Sequence, residues 1–177
     1  DVAGFYKKDI RLAKQDMNLA FGGNISNIGN KISYTETSNR DFIPINLRLG
    51  TSVFMDLDEY NNISFAFDVN KLLVPTPPIY NDSVQGQIDF GKDPNVSVVS
   101  GIFQSFSDAP EGFKEELREI NFSFGTEYWY ADQFALRAGY FFEDNTKGGR
   151  KFFTFGSGVK YNAVSYTHLT LPTRSYV

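Results

Sequence analysis

Alternation with period two constrains this chain more than anything else in it. Between residues 43 and 57 the odd positions carry Ile43, Ile45, Leu47, Leu49, Thr51, Val53, Met55 and Leu57. The even positions carry Asn46, Arg48, Ser52 and Asp56 among others. Successive side chains of an extended strand point to opposite faces, so such a segment has one apolar and one mostly polar face. The pattern returns at Ile63, Phe65, Phe67 and Val69, and at Ile120, Phe122, Phe124, Tyr128 and Tyr130. It returns again at Phe134, Leu136, Ala138, Tyr140 and Phe142, and at Phe153, Phe155, Val159 and Tyr161. About seven strands follow from this count, at residues 1–8, 17–35, 43–57, 62–74, 119–130, 133–143 and 151–162. In the second, alternation stutters at Asn27-Ile28-Gly29, as a β-bulge would make it do. Several strands are longer than the usual five or six residues and match the roughly 9–11 that cross a bilayer at a tilt.

The connections alternate in length. Residues 58–61 and 131–132 make tight turns, whereas 37–42, 75–118 and 144–150 are longer, with 9–16 falling on the short side by parity. Short turns at one end and longer loops at the other are the habit of outer-membrane barrels. Composition agrees: 18 Phe, 10 Tyr and one Trp stand against two Met, a bias toward strands and interfacial aromatics. No run of about 18 apolar residues offers a transmembrane helix. The mean hydropathy of −0.31 is compatible with a barrel, whose strands turn only alternate residues to lipid. The expected fold is therefore all-β, a fragment of a transmembrane antiparallel β-barrel with a long helical outer loop. That loop is punctuated by Pro75, Pro77 and Pro78, which stop the preceding strand. Val98, Val99, Ile102, Phe103 and Phe106 then fall at helical spacing, and a second short helix is expected over residues 110–119.

The absence of Cys removes disulfides, thiolate catalysis and Cys-ligated metals, and a net charge of −4 leaves no basic footprint for nucleic acid. The chain opens directly in strand-like sequence, and about seven strands are too few to close a single-chain bacterial barrel. The expectation is a barrel fragment extending beyond both ends. Residues 1–163 form the partial barrel, with residues 75–118 inserted. Residues 164–177, VSYTHLTLPTRSYV, resemble translated sequencing adapter and are expected to be a non-native tail with no place in the sheet. That tail holds the one histidine, His168, so the remainder has no His-based triad or His metal ligand.

The segments NISNIGNKISY, FIPINLRLGTSV, NKLLVPTPP, SFSDAPEGFKEELREI, GTEYWY and FALRAGYFFEDNTKGGRKFFTFGSGVKYN, in this order and spacing, resemble the PorV (LptO) family. That family comprises outer-membrane barrels of the type IX secretion system of Bacteroidota, within the wider FadL-like group. The resemblance covers residues 1–162. It implies a barrel of about 14 strands, within the range of such proteins, in the bacterial outer membrane. It further implies a non-enzymatic role: binding the C-terminal signal domains of secreted cargo proteins and passing them from the translocon to the surface attachment complex. The partners so implied are cargo, translocon and attachment-complex proteins and membrane lipid, without nucleic acid. A FadL-like transporter of hydrophobic small molecules is the alternative. Lipid A deacylation, suggested by the second family name, would need a nucleophile–base pair that the residues do not offer.

No catalytic, cofactor-binding or metal-binding residue is assigned, and no cofactor is expected. The residues singled out are of two kinds. Ile102, Phe103, Phe106 and Phe113 are the candidate partner-contact residues of the long loop. Arg48, Asp68, Glu127, Arg137 and Lys160 lie opposite the apolar face and are the candidate lumen-facing charges. Glu115, Glu116 and Glu119 read as a solvated helix face, and Asp56, Asp58 and Glu59 as a polar turn. Trp129, with Tyr128 and Tyr130, reads as part of the interfacial aromatic belt. Gly22 and Gly23 are expected where strands pack closely.

Overall fold

The computed structural model describes residues 1–12, 15–33, 40–84, 86–161, 164–169 and 173–174. Along the chain come β1 (Val2–Leu12), β2 (Gln15–Ser26), β3 (Asn46–Asp56) and β4 (Asn61–Leu72). A short hairpin, β5 (Ile79–Tyr80) and β6 (Ile88–Phe90), follows. Then come α1 (Val98–Gln104), α2 (Phe113–Arg118), β7 (Ile120–Tyr130), β8 (Phe134–Phe142), β9 (Lys151–Tyr161), β10 (Val164–Leu169) and β11 (Thr173–Arg174). The large sheet is ordered β1-β2-β3-β4-β7-β8-β9-β10, with β11 also on β9. Apart from β11, each strand of this sheet pairs with the next one along the chain, and the 73–119 segment is an insertion between paired strands β4 and β7. No described helix is long and apolar enough to cross a membrane. The fold is all-β and consistent with a fragment of an antiparallel barrel.

The chain divides into two compact units. One consists of residues 4–23, 49–69 and 121–177, the bodies of the strands. Here the register carries the alternation across neighbours. Phe124↔Tyr140, Thr126↔Ala138 and Tyr128↔Leu136 pair on the apolar face, while Gly125↔Gly139 and Glu127↔Arg137 pair on the other. β9 continues both rows, with Tyr140↔Phe153 and Ala138↔Phe155 on the first and Gly139↔Thr154 and Arg137↔Gly156 on the second. Phe67, Phe124, Leu136, Phe153, Phe155 and Tyr161, all on the apolar face, are exposed. Stacked rings at Phe65–Phe124 and Phe67–Phe122 join β4 to β7 on that face. The turn at Ala131-Asp132 has both residues left-handed (φ 51° and 54°), closed by Gln133 N–H donating to Tyr130 O at 3.0 Å. This is the turn whose twist suits a two-residue hairpin.

The other unit consists of residues 1–3, 24–48 and 70–120. Its small core contains Ile45, Leu73 and Ala109, and Leu73 N–H donates to Ile45 O at 2.8 Å. α1 begins at Ser97, which accepts from Ser100 N–H, the usual satisfaction of a free helix N-terminus. A Cβ on Gly101 would lie 2.6 Å from the Phe42 ring and 3.2 Å from Pro75 Cγ, so glycine is what lets α1 sit against them.

Several boundaries move. β1 extends to Leu12, so the connection to β2 spans residues 13–14, outside the described residues. β2 ends at Ser26 instead of running to 35, because Asn27 adopts φ 59°. That break, not a bulge within a strand, is what interrupts the alternation. β3 starts at Asn46, since Pro44 has no N–H for a ladder and Ile45 N–H turns back to Ile43 O. The second helix spans only Phe113–Arg118, after the left-handed Gly112. The tail also differs from expectation: β10 pairs antiparallel with β9 from Val164↔Tyr161 to Leu169↔Gly156. An unpaired edge offers N–H and C=O groups that any extended non-proline segment can meet.

Candidate functional site

Two places concentrate the functional side chains. The first lies in the 70–120 unit. Pro75, Pro77 and Pro78 end β4 and send the chain outward, after which α1 and α2 carry amphipathic turns. Val99 and Phe103, and Phe113 and Leu117, are each spaced four apart and so share a helix face. Those faces point to solvent: Phe103 is 73% and Phe113 76% exposed, with Phe106, Val99 and Leu117 also exposed and Ile102 half-buried. Three of the four candidate contact residues are thus openly presented, and Ile102 less so.

The same unit holds a polar cluster. Lys71, near the end of β4, is buried, and its Nζ donates to Glu116 Oε2 at 3.1 Å and Glu119 Oε2 at 2.7 Å. Glu119 Oε1 accepts from Thr76 Oγ1 at 2.8 Å, and Thr76 N–H donates to Asp108 Oδ2 at 3.0 Å. Glu116 Oε1 accepts the N–H groups of Asp108 and Ala109 at 2.7 and 2.9 Å. Asp108 is buried with its Oδ1 unpartnered. Desolvation holds its carboxyl above the ordinary range, opposed by the Thr76 bond and reinforced by repulsion from Glu116 and Glu119. The expectation of a solvated acidic face is therefore corrected for Glu116 and Glu119. Their countercharge, Lys71, lies 45 and 48 residues away, where local periodicity has no view of it.

The second place is the polar face of the strand unit. A hollow of about 530 Å³ opens over small residues, Ser64, Ala66, Gly125, Gly139 and Gly156, and is bordered by Phe141 and Phe152. Asp68, Glu127 and Arg137 line it as well. Arg137 Nε donates to Glu127, whose other oxygen accepts from Trp129 Nε1 at 2.6 Å. The Arg137 guanidinium lies 5.6 Å from the centre of the Trp129 ring, with its Nη1 buried and unpartnered. Trp129 thus sits on the polar face, unlike its neighbours Tyr128 and Tyr130. Asp68 lies over Gly50, where a Cβ would collide with its carboxylate.

Three of the five candidate charges meet around this hollow. Lys160 lines a smaller recess with Phe54, Asn62, Trp129 and Asp132. Arg48 is exposed on β3 and lines neither. Asp58 organises its own turn, accepting from Tyr60 N–H, Asn61 N–H and the Asn61 amide, bonds that hold its carboxyl below the ordinary range. Among the described residues no group of His, Cys, Asp and Glu could hold a metal ion.

Residues 1–79 match the model of a family described as type IX secretion system protein PorV. The match takes in β1 to β4 and the start of the insertion. No curated protein matches the chain.

Proposed function

We propose, taking the chain as a PorV-type protein of the type IX secretion system on the strength of residues 1–79, that it is an outer-membrane barrel that binds exported proteins by their C-terminal signal domains. It carries them from the translocon to the surface attachment complex. The observation behind this reading is the pairing of two surfaces: an exposed apolar sheet face suited to lipid, and a long loop with a folded interior and exposed aromatics. Aromatic anchors on a well-ordered support are the usual energetic centre of a protein interface. The proposed contacts are Phe103, Phe106 and Phe113 with Ile102 behind them. Arg48, Asp68, Glu127, Arg137 and Lys160 are proposed to face the barrel lumen. The reading rests on residues 1–161; residues 164–177, taken as a read-through tail, carry none of it.

Deleting the gene should abolish surface attachment of exported cargo, and normal attachment in the deletion strain would refute the reading. Replacing residues 75–118 with a short Gly/Ser linker should leave a folded barrel that no longer co-purifies with cargo or translocon. The hollow over Gly125 and Gly139 favours a second reading, transport of hydrophobic small molecules through a FadL-like barrel. Loss of fatty-acid uptake with secretion intact in the same deletion strain would select it.

A further inference from the structure

We infer that Lys71 is the cation of a charge-compensated latch that seats the 75–119 segment, so that the aromatic faces of α1 and α2 are a preformed surface and not one that orders when a partner arrives. The second clause rests on the cargo-binding reading above; the first does not.

The hydrogen bonds around Lys71 close into a ring. Lys71 reaches Glu116; Glu116 takes the Asp108 and Ala109 N–H groups; Asp108 takes Thr76 N–H; Thr76 reaches Glu119; and Glu119 returns to Lys71. The ring ties together four stretches of chain: the end of β4, the proline-rich segment, the connector between the helices, and α2. Only the Asp108 and Ala109 N–H bonds to Glu116 are local, so the ring forms only when the whole insertion is in place. It gathers three carboxylates near Lys71, those of Asp108 and Glu116 buried and that of Glu119 half-buried. Buried carboxylates without countercharge are costly, so losing Lys71 leaves the seated form untenable at neutral pH. Proton uptake by Asp108, whose Oδ1 is unpartnered and whose carboxyl burial already pushes up, relieves part of that cost. Of the segment's other charged groups, Asp89, Asp93, Lys92, Glu111, Glu115 and Arg118 make bonds away from the cluster. Lys92 bonds Ser107 Oγ, Arg118 pairs with Glu111, and Glu115 accepts from Glu111 N–H, each at exposed positions where solvent screens them. The Phe106 ring lies 6.0 Å from Lys71 Nζ and shields one side of the cluster.

Limited proteolysis of the membrane-embedded protein tests the latch, with cleavage within residues 75–119 as the readout and the strands as internal control. Lys71→Met should raise cleavage at neutral pH by about tenfold or more, the scale of breaking a buried ion pair. Acidification should protect that variant again, and combining it with Glu116→Gln and Glu119→Gln should restore protection at neutral pH. Wild-type cleavage in Lys71→Met would overturn the latch. So would an opening that neither acid nor the added neutral residues reverse, because Lys71 would then act only by packing. If the latch opens and cargo still co-purifies undiminished, the preformed docking surface falls while the latch stands.

Discussion

The Lys71 cluster of the 70–120 unit and the Glu127–Arg137 pair of the strand unit use the same chemistry in different solvents. Lys71 and Glu116 expose 7% and 8% of their side chains, Arg137 and Glu127 26% and 32%. Charges taken fully out of water depend on one another, because removing one partner leaves the other stranded. Charges that keep part of their hydration do not, and their pairing is worth little. The inverse holds for the aromatics. The loop unit exposes Phe103 and Phe113 above a polar interior, whereas the strand unit exposes a broad face of Phe, Tyr and Leu with small and charged residues behind it. On the proposed function, the first arrangement meets a protein partner and the second meets lipid.

The largest test of this contrast is Glu116→Ala. It removes one of the two carboxylates on Lys71, leaving Glu119 as the other, and strands two backbone donors in a buried site, so it should cost about 3 kcal/mol of loop-unit stability, read from amide exchange over residues 98–119. Next, Phe103→Ser with Phe113→Ser should weaken cargo co-purification roughly tenfold or more, at about 1–2 kcal/mol for each anchor. The same pair should leave amide exchange near wild type, since both rings are exposed. Arg137→Met should move strand-unit stability by no more than about 1 kcal/mol in denaturant unfolding. If it costs as much as Glu116→Ala, the contrast between the two clusters is wrong.

The smallest effects are those of pH, and they have opposite signs. Glu143 accepts a bidentate pair of bonds from Arg150 at 2.7 and 2.8 Å, and these hold its carboxyl below the ordinary range. A depressed acid stabilises the folded loop above its ordinary value of 4.5, and that stability goes as pH falls through the depressed value. Asp108 is raised, so the folded state binds its proton more readily than the unfolded chain. Its contribution therefore falls as pH rises from its ordinary 3.8 through the raised value. Mild acid should then protect amides near residues 105–119 while leaving residues 143–150 unchanged until the medium is more acidic. Asp108→Asn, which can still accept from Thr76, should give a small gain in protection at neutral pH.

Period two was enough to determine the long strands β3, β4, β7, β8 and β9 and their two faces, because side-chain direction in an extended chain depends only on parity. Phe124, Leu136 and Phe155 fall on the exposed apolar face, and Glu127 and Arg137 on the other, as alternation requires. The helical stretch around Phe103 was legible for the same local reason. Strand ends were less so. Pro44 and Asn27 stop β3 and β2 through a missing donor and a left-handed backbone, which the hydrophobic pattern passes over. Which acids are buried was decided only by tertiary structure. Glu115 and Glu116 are neighbours in one short helix, and it is Lys71, arriving from the end of β4, that makes Glu116 part of an interior. Charge compensation is a property of what meets in space, and no spacing within residues 110–119 contains it.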